Sequence, residues 1–245
     1  MTIALKVCVV AAALTTGFHL ANCAPMTRTG VAESSADAPS ASGGNDTLAR
    51  PPDQTFVFTC GDRDETFAFT VRTGPEKVSL WLPGRFGRPY LVLKQTRAAS
   101  GSRYAGDDIV VWTKGDNALL DVNGEQWSNC ALDRRRSIWE HAKLEGVDFR
   151  AVGNEPGWHL EIRRAASLAF VYDYGQQRVT TPAPEPEIDI GARRTVYRAS
   201  TAANELAVTL EGKPCADTMS DETYETTVTV VLEGQTYREC GRSLH

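Results

Sequence analysis

From residue 55 to residue 131 the chain alternates apolar and polar side chains with a period of two, interrupted at short intervals by turn-forming pairs. Phe56 and Phe58 alternate with Thr55 and Val57. Phe67, Phe69 and Val71 share one face of the next run, and Val78, Leu80 and Leu82, then Leu91 and Leu93, then Ile109 and Val111 repeat the pattern. A period of two is that of an extended strand with one buried face. The interruptions fall at Gly61-Asp62, Gly74-Pro75, Pro83-Gly84, Gly115-Asp116 and Asn123-Gly124. Asn-Gly and Gly-Asp pairs accept the positive φ of tight hairpins. Many short strands joined in this way make an antiparallel barrel, whose closure removes exposed strand edges.

The alternation returns in residues 148–245, at 158–162, 168–172, 206–210 and 228–232, and is broken by the loop Pro182-Ala183-Pro184-Glu185-Pro186. No internal period relates the two halves. Between them, within residues 132–147, the run Asp133 to Glu145 has the composition of a short helix, with Ile138 and Ala142 on one side and Trp139 alongside. The expected fold class is therefore all-β: a small antiparallel β-barrel domain over 55–131, a helical connector over 132–147 and a second β-rich domain over 148–245.

The first 23 residues read as an export signal. Lys6 precedes an apolar stretch from Val7 to Leu14 that is too short to span a membrane. Leu20-Ala21-Asn22-Cys23 then looks like a lipobox, with Asn in place of the usual small residue before Cys23. Lipidation of Cys23 would anchor the chain to a membrane. Ala24 after the cysteine favours the outer membrane, facing the periplasm, and ordinary cleavage would instead leave a soluble periplasmic protein. Residues 24–54 are rich in Ser, Ala, Gly, Thr and Pro and suit a flexible tether. With 31 acidic against 26 basic residues the net charge is −5, which disfavours nucleic acid and favours a basic partner. Setting aside Cys8 and Cys23, four cysteines remain (Cys60, Cys130, Cys215 and Cys240) and allow three pairings. There is no Cys-x-x-Cys and no His at ligand spacing, so no metal is expected.

One window inside the first β region carries chemistry. Ser100-Gly101-Ser102-Arg103-Tyr104 precedes Ile109-Val110-Val111-Trp112-Thr113-Lys114-Gly115. It resembles the membrane-bound inhibitors of c-type lysozyme, which carry Ser-Gly-x-x-Tyr followed by Tyr-x-x-x-Thr-Lys-Gly. Here the first motif is complete, and Ile109 stands where the family shows Tyr. The resemblance covers residues 55–131 and implies a small antiparallel barrel that binds c-type lysozyme, with no cofactor and no catalysis of its own. It implies that Ser100 and Lys114 meet the two catalytic carboxyls of lysozyme, on a surface formed with Gly101, Ser102, Tyr104, Thr113 and Gly115. The chemistry is consistent. A hydroxyl can donate to one carboxyl oxygen and accept from a protonated acid, while an ammonium pairs with the ionised one. A narrow loop is needed, which suits Ala98, Ala99, Ser100, Gly101 and Ser102. Tyr104 would anchor the loop base, and Gly115 would present Lys114. Dividing the chain into these domains selects the pairs Cys60–Cys130 and Cys215–Cys240.

Residues 149–158 and 215–224, closed by Cys240-Gly241-Arg242, resemble an uncharacterised domain of bacterial envelope lipoproteins, which implies no activity. Asn154, Glu155, Asp217, Ser220 and Asp221 are polar groups in turn-rich stretches that either converge on a ligand or cap turns. His159 reads as structural, since no base or nucleophile is spaced around it. A rival reading keeps the barrel but uses Trp81, Trp112 and Trp127 to bind cell-wall glycan or an envelope protein. Another makes the second half an enzyme, with Glu155, Asp217 or Asp221 as its acid or base.

Overall fold

A computed structural model describes residues 53–62, 65–217, 219–220 and 222–245. Cys23, the tether up to residue 52, and Asp221 lie outside the described residues.

Eight strands form a closed up-and-down barrel: β1 (Thr55–Asp62), β2 (Glu65–Gly74), β3 (Lys77–Trp81), β4 (Tyr90–Thr96), β5 (Ser102–Gly106), β6 (Ile109–Lys114), β7 (Asn117–Val122) and β8 (Glu125–Leu132). The period-two residues fill it. Phe58, Phe69, Val71, Val78, Leu80, Leu93, Ile109, Val111 and Leu120 are all at most 2% exposed. Each such side chain contributes about 1.5–3 kcal/mol by leaving water.

The seam between β1 and β8 pairs Phe58 with Leu132 and Thr59 with Ala131. Two residues along both strands from the first of these pairs stands the Cys60–Cys130 disulfide, its Cα atoms 4.0 Å apart.

Two local features differ from the expected pattern. β1 does not turn at Gly61-Asp62 but runs through both, with Gly61 paired to Thr66. A Cβ at Gly61 would lie 1.9 Å from the Glu65 carbonyl oxygen, so glycine (φ 100°) is required for this close approach. Between β5 and β6 the chain turns at Asp107-Asp108, both residues in the left-handed region (φ 48° and 59°), which an Asp-Asp pair advertises less clearly than Asn-Gly does.

Helix α1 (Arg134–Leu144) follows, capped by the Asp133 side chain, which accepts from the Arg136 amide. It packs on the outside of β1, where the Ser137 hydroxyl accepts from the Val57 amide (2.8 Å) and donates to the Asp133 carbonyl (2.6 Å). Val57 and Phe58, on opposite faces of β1, are therefore both buried. Ile138, which the sequence places on one side of the helix with Ala142, is 53% exposed, while Ser137, Trp139 and Ala142 are the buried residues. The reason is that the helix packs on two neighbours at once. Ser137 meets the barrel, and Trp139 packs on Tyr224 and under the Arg242 guanidinium.

The second half is a nine-stranded antiparallel sheet. Its strands are β9 (Phe149–Asn154), β10 (Gly157–Arg163), β11 (Ser167–Tyr172), β12 (Gln177–Pro182), β13 (Glu187–Asp189), β14 (Arg194–Ser200), β15 (Glu205–Glu211), β18 (Thr226–Leu232) and β19 (Gln235–Ser243). They lie in the order β12-β11-β10-β9-β19-β18-β15-β14-β13. One face gathers a core of Trp158, Leu160, Ile162, Phe170, Val208 and Val230. A short pair, β16 (Cys215–Ala216) and β17 (Thr223–Tyr224), is tied to β19 by the Cys215–Cys240 disulfide.

Candidate functional site

The site lies at the barrel end where β4 passes to β5 and β6 passes to β7. Ser102 pairs with Thr113 across β5 and β6, and the Thr113 hydroxyl reaches the Ser102 carbonyl oxygen at 3.5 Å. This register sets the loop 97–101 directly beside the turn that carries Lys114. Contact is closest at Gly101 (φ 68°), where a Cβ would lie 2.2 Å from the Thr113 carbonyl oxygen and 3.2 Å from Lys114 Cβ. On the other side of the loop, the Trp112 indole N–H donates to the Ser100 carbonyl at 2.8 Å.

Ser100, Gly101, Lys114 and Gly115 are exposed, and Ser102 and Thr113 are half-buried. Tyr104 is 7% exposed inside the barrel. Together with Ser102, Thr113 and Phe56 it lines a cavity of about 200 Å³ at the barrel mouth. Ile109 lies toward the other end of β6, paired with Gly106 and 2% exposed, as part of the core rather than of this surface.

The electrostatics leave the ammonium free. The acid nearest in sequence, Asp116, is held by Arg134, whose Nη2 donates to both carboxylate oxygens at 2.7 and 2.6 Å. No carboxylate among the described residues pairs with Lys114. The residues that sequence reasoning missed are Trp112, as the partner of Ser100, and Arg134, as the partner of Asp116. Both contacts cross between elements, and no local motif signals them.

Glycine 101 gives a direct test of this packing. Gly101→Ala adds a Cβ against fixed backbone and is expected to displace the loop. Gly115→Ala adds one with no atom within 4 Å and costs only the left-handed strain of roughly 1–2 kcal/mol. Thermal unfolding of the two variants should show Gly101→Ala as the more destabilised.

Of the polar residues singled out in the second half, Asn154, Asp217 and Ser220 converge, but on each other. The Asp217 side chain, 5% exposed, accepts from Arg135 Nη2 (2.6 Å), Asn154 Nδ2 (2.8 Å), the Met219 amide (2.8 Å) and the Ser220 hydroxyl (3.0 Å). Four donors fill what a carboxylate can accept, and Arg135 also donates to the Tyr224 hydroxyl. The cluster therefore fastens α1 to the 215–224 loop and offers no vacancy for a ligand.

Burial alone would raise the Asp217 pKa. The bonds from Met219, Arg135, Ser220 and Asn154 outweigh it and hold the carboxyl below its ordinary value. A depressed folded pKa gives stability that is present above the unfolded value of about 3.9 and is lost as pH falls through the folded one. Denaturant midpoints measured across acid pH should therefore fall less steeply in Asp217→Asn than in the wild type.

His159 lines a cleft of about 690 Å³ between the start of β1, α1 and β9–β10. Burial first, and then the neighbouring Arg150, hold its pKa below the ordinary value. Arg150 pairs with Glu161, and the Ser137 hydroxyl in the same cleft is committed to backbone. Glu155 is exposed at a turn. Of the tryptophans proposed as a glycan platform, Trp127 packs edge-on against Phe67 and Phe86, while Trp81 packs at a tilt against Tyr90. The one grouping of metal-type donors among the described residues is Cys215, Glu239 and Cys240, and its two sulfurs are joined in the disulfide.

Residues 58–128 match the family model described as membrane-bound lysozyme-inhibitor of c-type lysozyme. A protein of Yersinia enterocolitica serotype O:8, named membrane-bound lysozyme inhibitor of C-type lysozyme, is 34% identical over 74 residues. That alignment spans 30% of this chain and 58% of the relative. No solved structure matches the chain. Residues 58–128, which lie within the disulfide-closed barrel, are thus similar to the membrane-bound inhibitors of c-type lysozyme, and the alignment spans less than two thirds of that relative's length.

Proposed function

We propose that the protein inhibits c-type lysozyme by placing the Ser100 loop and Lys114 in the active-site cleft, without turnover of its own. The observation that carries this reading is the adjacency of an exposed hydroxyl loop and an unpaired ammonium at one barrel end, within the segment matched to the inhibitor family. In the cleft, the Ser100 hydroxyl would bond the two carboxyls and Lys114 would pair with the ionised one. Such a pairing gains strength because the closed site excludes water. Gly101, Ser102, Thr113 and Gly115 shape the surface, and Tyr104 supports it from inside the barrel.

In this reading residues 55–131 are the inhibitory domain, 132–147 the connector and 148–245 a separate β-rich domain. Lipid on Cys23 would hold the protein at the outer membrane, where it would guard the cell wall from the periplasmic side. The name of the Yersinia relative, which is described as membrane-bound, supports the membrane assignment.

Competition tests the plug. An oligosaccharide of N-acetylglucosamine that fills the lysozyme cleft should displace the protein, and inhibition should fall as the oligosaccharide concentration rises. Binding that is indifferent to a filled cleft would refute insertion at the active site.

A further inference from the structure

We propose that Trp112 is the positioning residue of the inhibitory loop: its indole N–H latches the Ser100 carbonyl and so sets the hydroxyl relative to Lys114. The proposal rests on the inhibitory reading of the same site. Ser100 lies in a loop of small side chains that has few means of holding itself. Two contacts fix it, and both come from β6. Gly101 lies against Thr113 and Lys114, a contact open only to glycine, and the Trp112 Nε1–H donates to the Ser100 oxygen at 2.8 Å.

Trp112 and Lys114 are two apart on one strand and therefore project to the same side. Their burial agrees, since both are exposed while Val111, on the opposite face, is fully buried and Thr113 is half-buried. One strand thus carries the ammonium and also holds the peptide that carries the hydroxyl. Fixing the spacing of the two groups before binding lowers the ordering cost of association. Trp112 is itself 37% exposed, so its indole is accessible to a partner at the same barrel end as Lys114. Tryptophan is enriched among the residues that dominate binding energy at interfaces. The indole therefore acts twice, holding the loop through its N–H and presenting its ring to the partner.

The two roles separate by substitution. Trp112→Phe keeps an aromatic ring and removes the N–H, whereas Trp112→Ala removes both. In the free protein, amide order parameters at Ser100 and Gly101 should fall in Trp112→Phe while those of β5 and β6 stay unchanged. Inhibition of c-type lysozyme should weaken roughly three- to tenfold, the worth of one hydrogen bond, and further in Trp112→Ala. Because the latch acts through Ser100, Trp112→Phe should add little in a Ser100→Ala background, where independent sites would add fully. Unchanged order parameters in Trp112→Phe, or fully additive losses with Ser100→Ala, would overturn the latch. A loop that loosens in a protein whose wild type does not inhibit would support the latch and refute the plug, so the two failures are distinguishable.

Discussion

Lys114→Ala is expected to weaken binding to c-type lysozyme by about 2–5 kcal/mol, the cost of truncating one partner of a buried charge pair. That corresponds to a loss of about thirtyfold or more, read as an inhibition constant. The size follows from position. Lys114 is exposed and has no ion-pair partner among the described residues, so its removal breaks no such contact in the barrel. In the complex, its absence would leave an ionised carboxylate of lysozyme enclosed without a counter-charge. Lys77→Ala, which removes an exposed lysine from the start of β3, serves as the control for a general change in charge. An unaltered melting temperature for Lys114→Ala, together with the large loss of binding, would locate the effect in the complex. A loss of less than about threefold would move Lys114 to the rim, where exposed pairs contribute only a few tenths of a kcal/mol to about 1 kcal/mol.

The second large effect is on stability. Replacing Cys60 and Cys130 together by alanine should cost about 4 kcal/mol, from the chain entropy that a bridge over a sequence separation of 70 removes from the unfolded state. The same argument gives about 3.5 kcal/mol for Cys215–Cys240, which spans 25 residues. The first bridge matters more for a further reason. It extends the seam between β1 and β8, where two residue pairs close the barrel against eight between β1 and β2. Denaturant unfolding followed by tryptophan fluorescence should rank the two variants in this order. Inhibition should fail at a lower temperature in the first than in the second.

The strands were legible because most buried residues of the barrel sit at period-two positions, from Phe67, Phe69 and Val71 to Ile109 and Val111. The pattern fails where an element covers the outer side. β1 buries Val57 as well as Phe58 because α1 packs on it, and nothing in residues 55–62 announces a helix more than 70 residues away. The helix was placed from its composition, but its inward face was not. Ile138 carries the greater hydrophobicity, yet Ser137 is buried because its hydroxyl answers the Val57 amide. Sheet order in the second half was equally hidden, since the pairing of β9 with β19 joins the two ends of that segment. At the site, Ser100, Gly101 and Lys114 were readable as motif residues. What brings them together is the Ser102–Thr113 register and the Trp112 bond, both products of strand pairing. Asp217, Asn154 and Ser220 were recognised as a polar group, and only the structure shows that they satisfy one another.

The most direct measurement is the rate of a c-type lysozyme on cell-wall substrate as the purified, disulfide-bonded protein is added, with the Ser100→Ala/Lys114→Ala double variant run beside it. The account predicts inhibition by the wild type that the double variant largely loses while remaining folded. A folded wild-type protein that leaves lysozyme at its full rate, or a double variant that inhibits as well as the wild type, would contradict it.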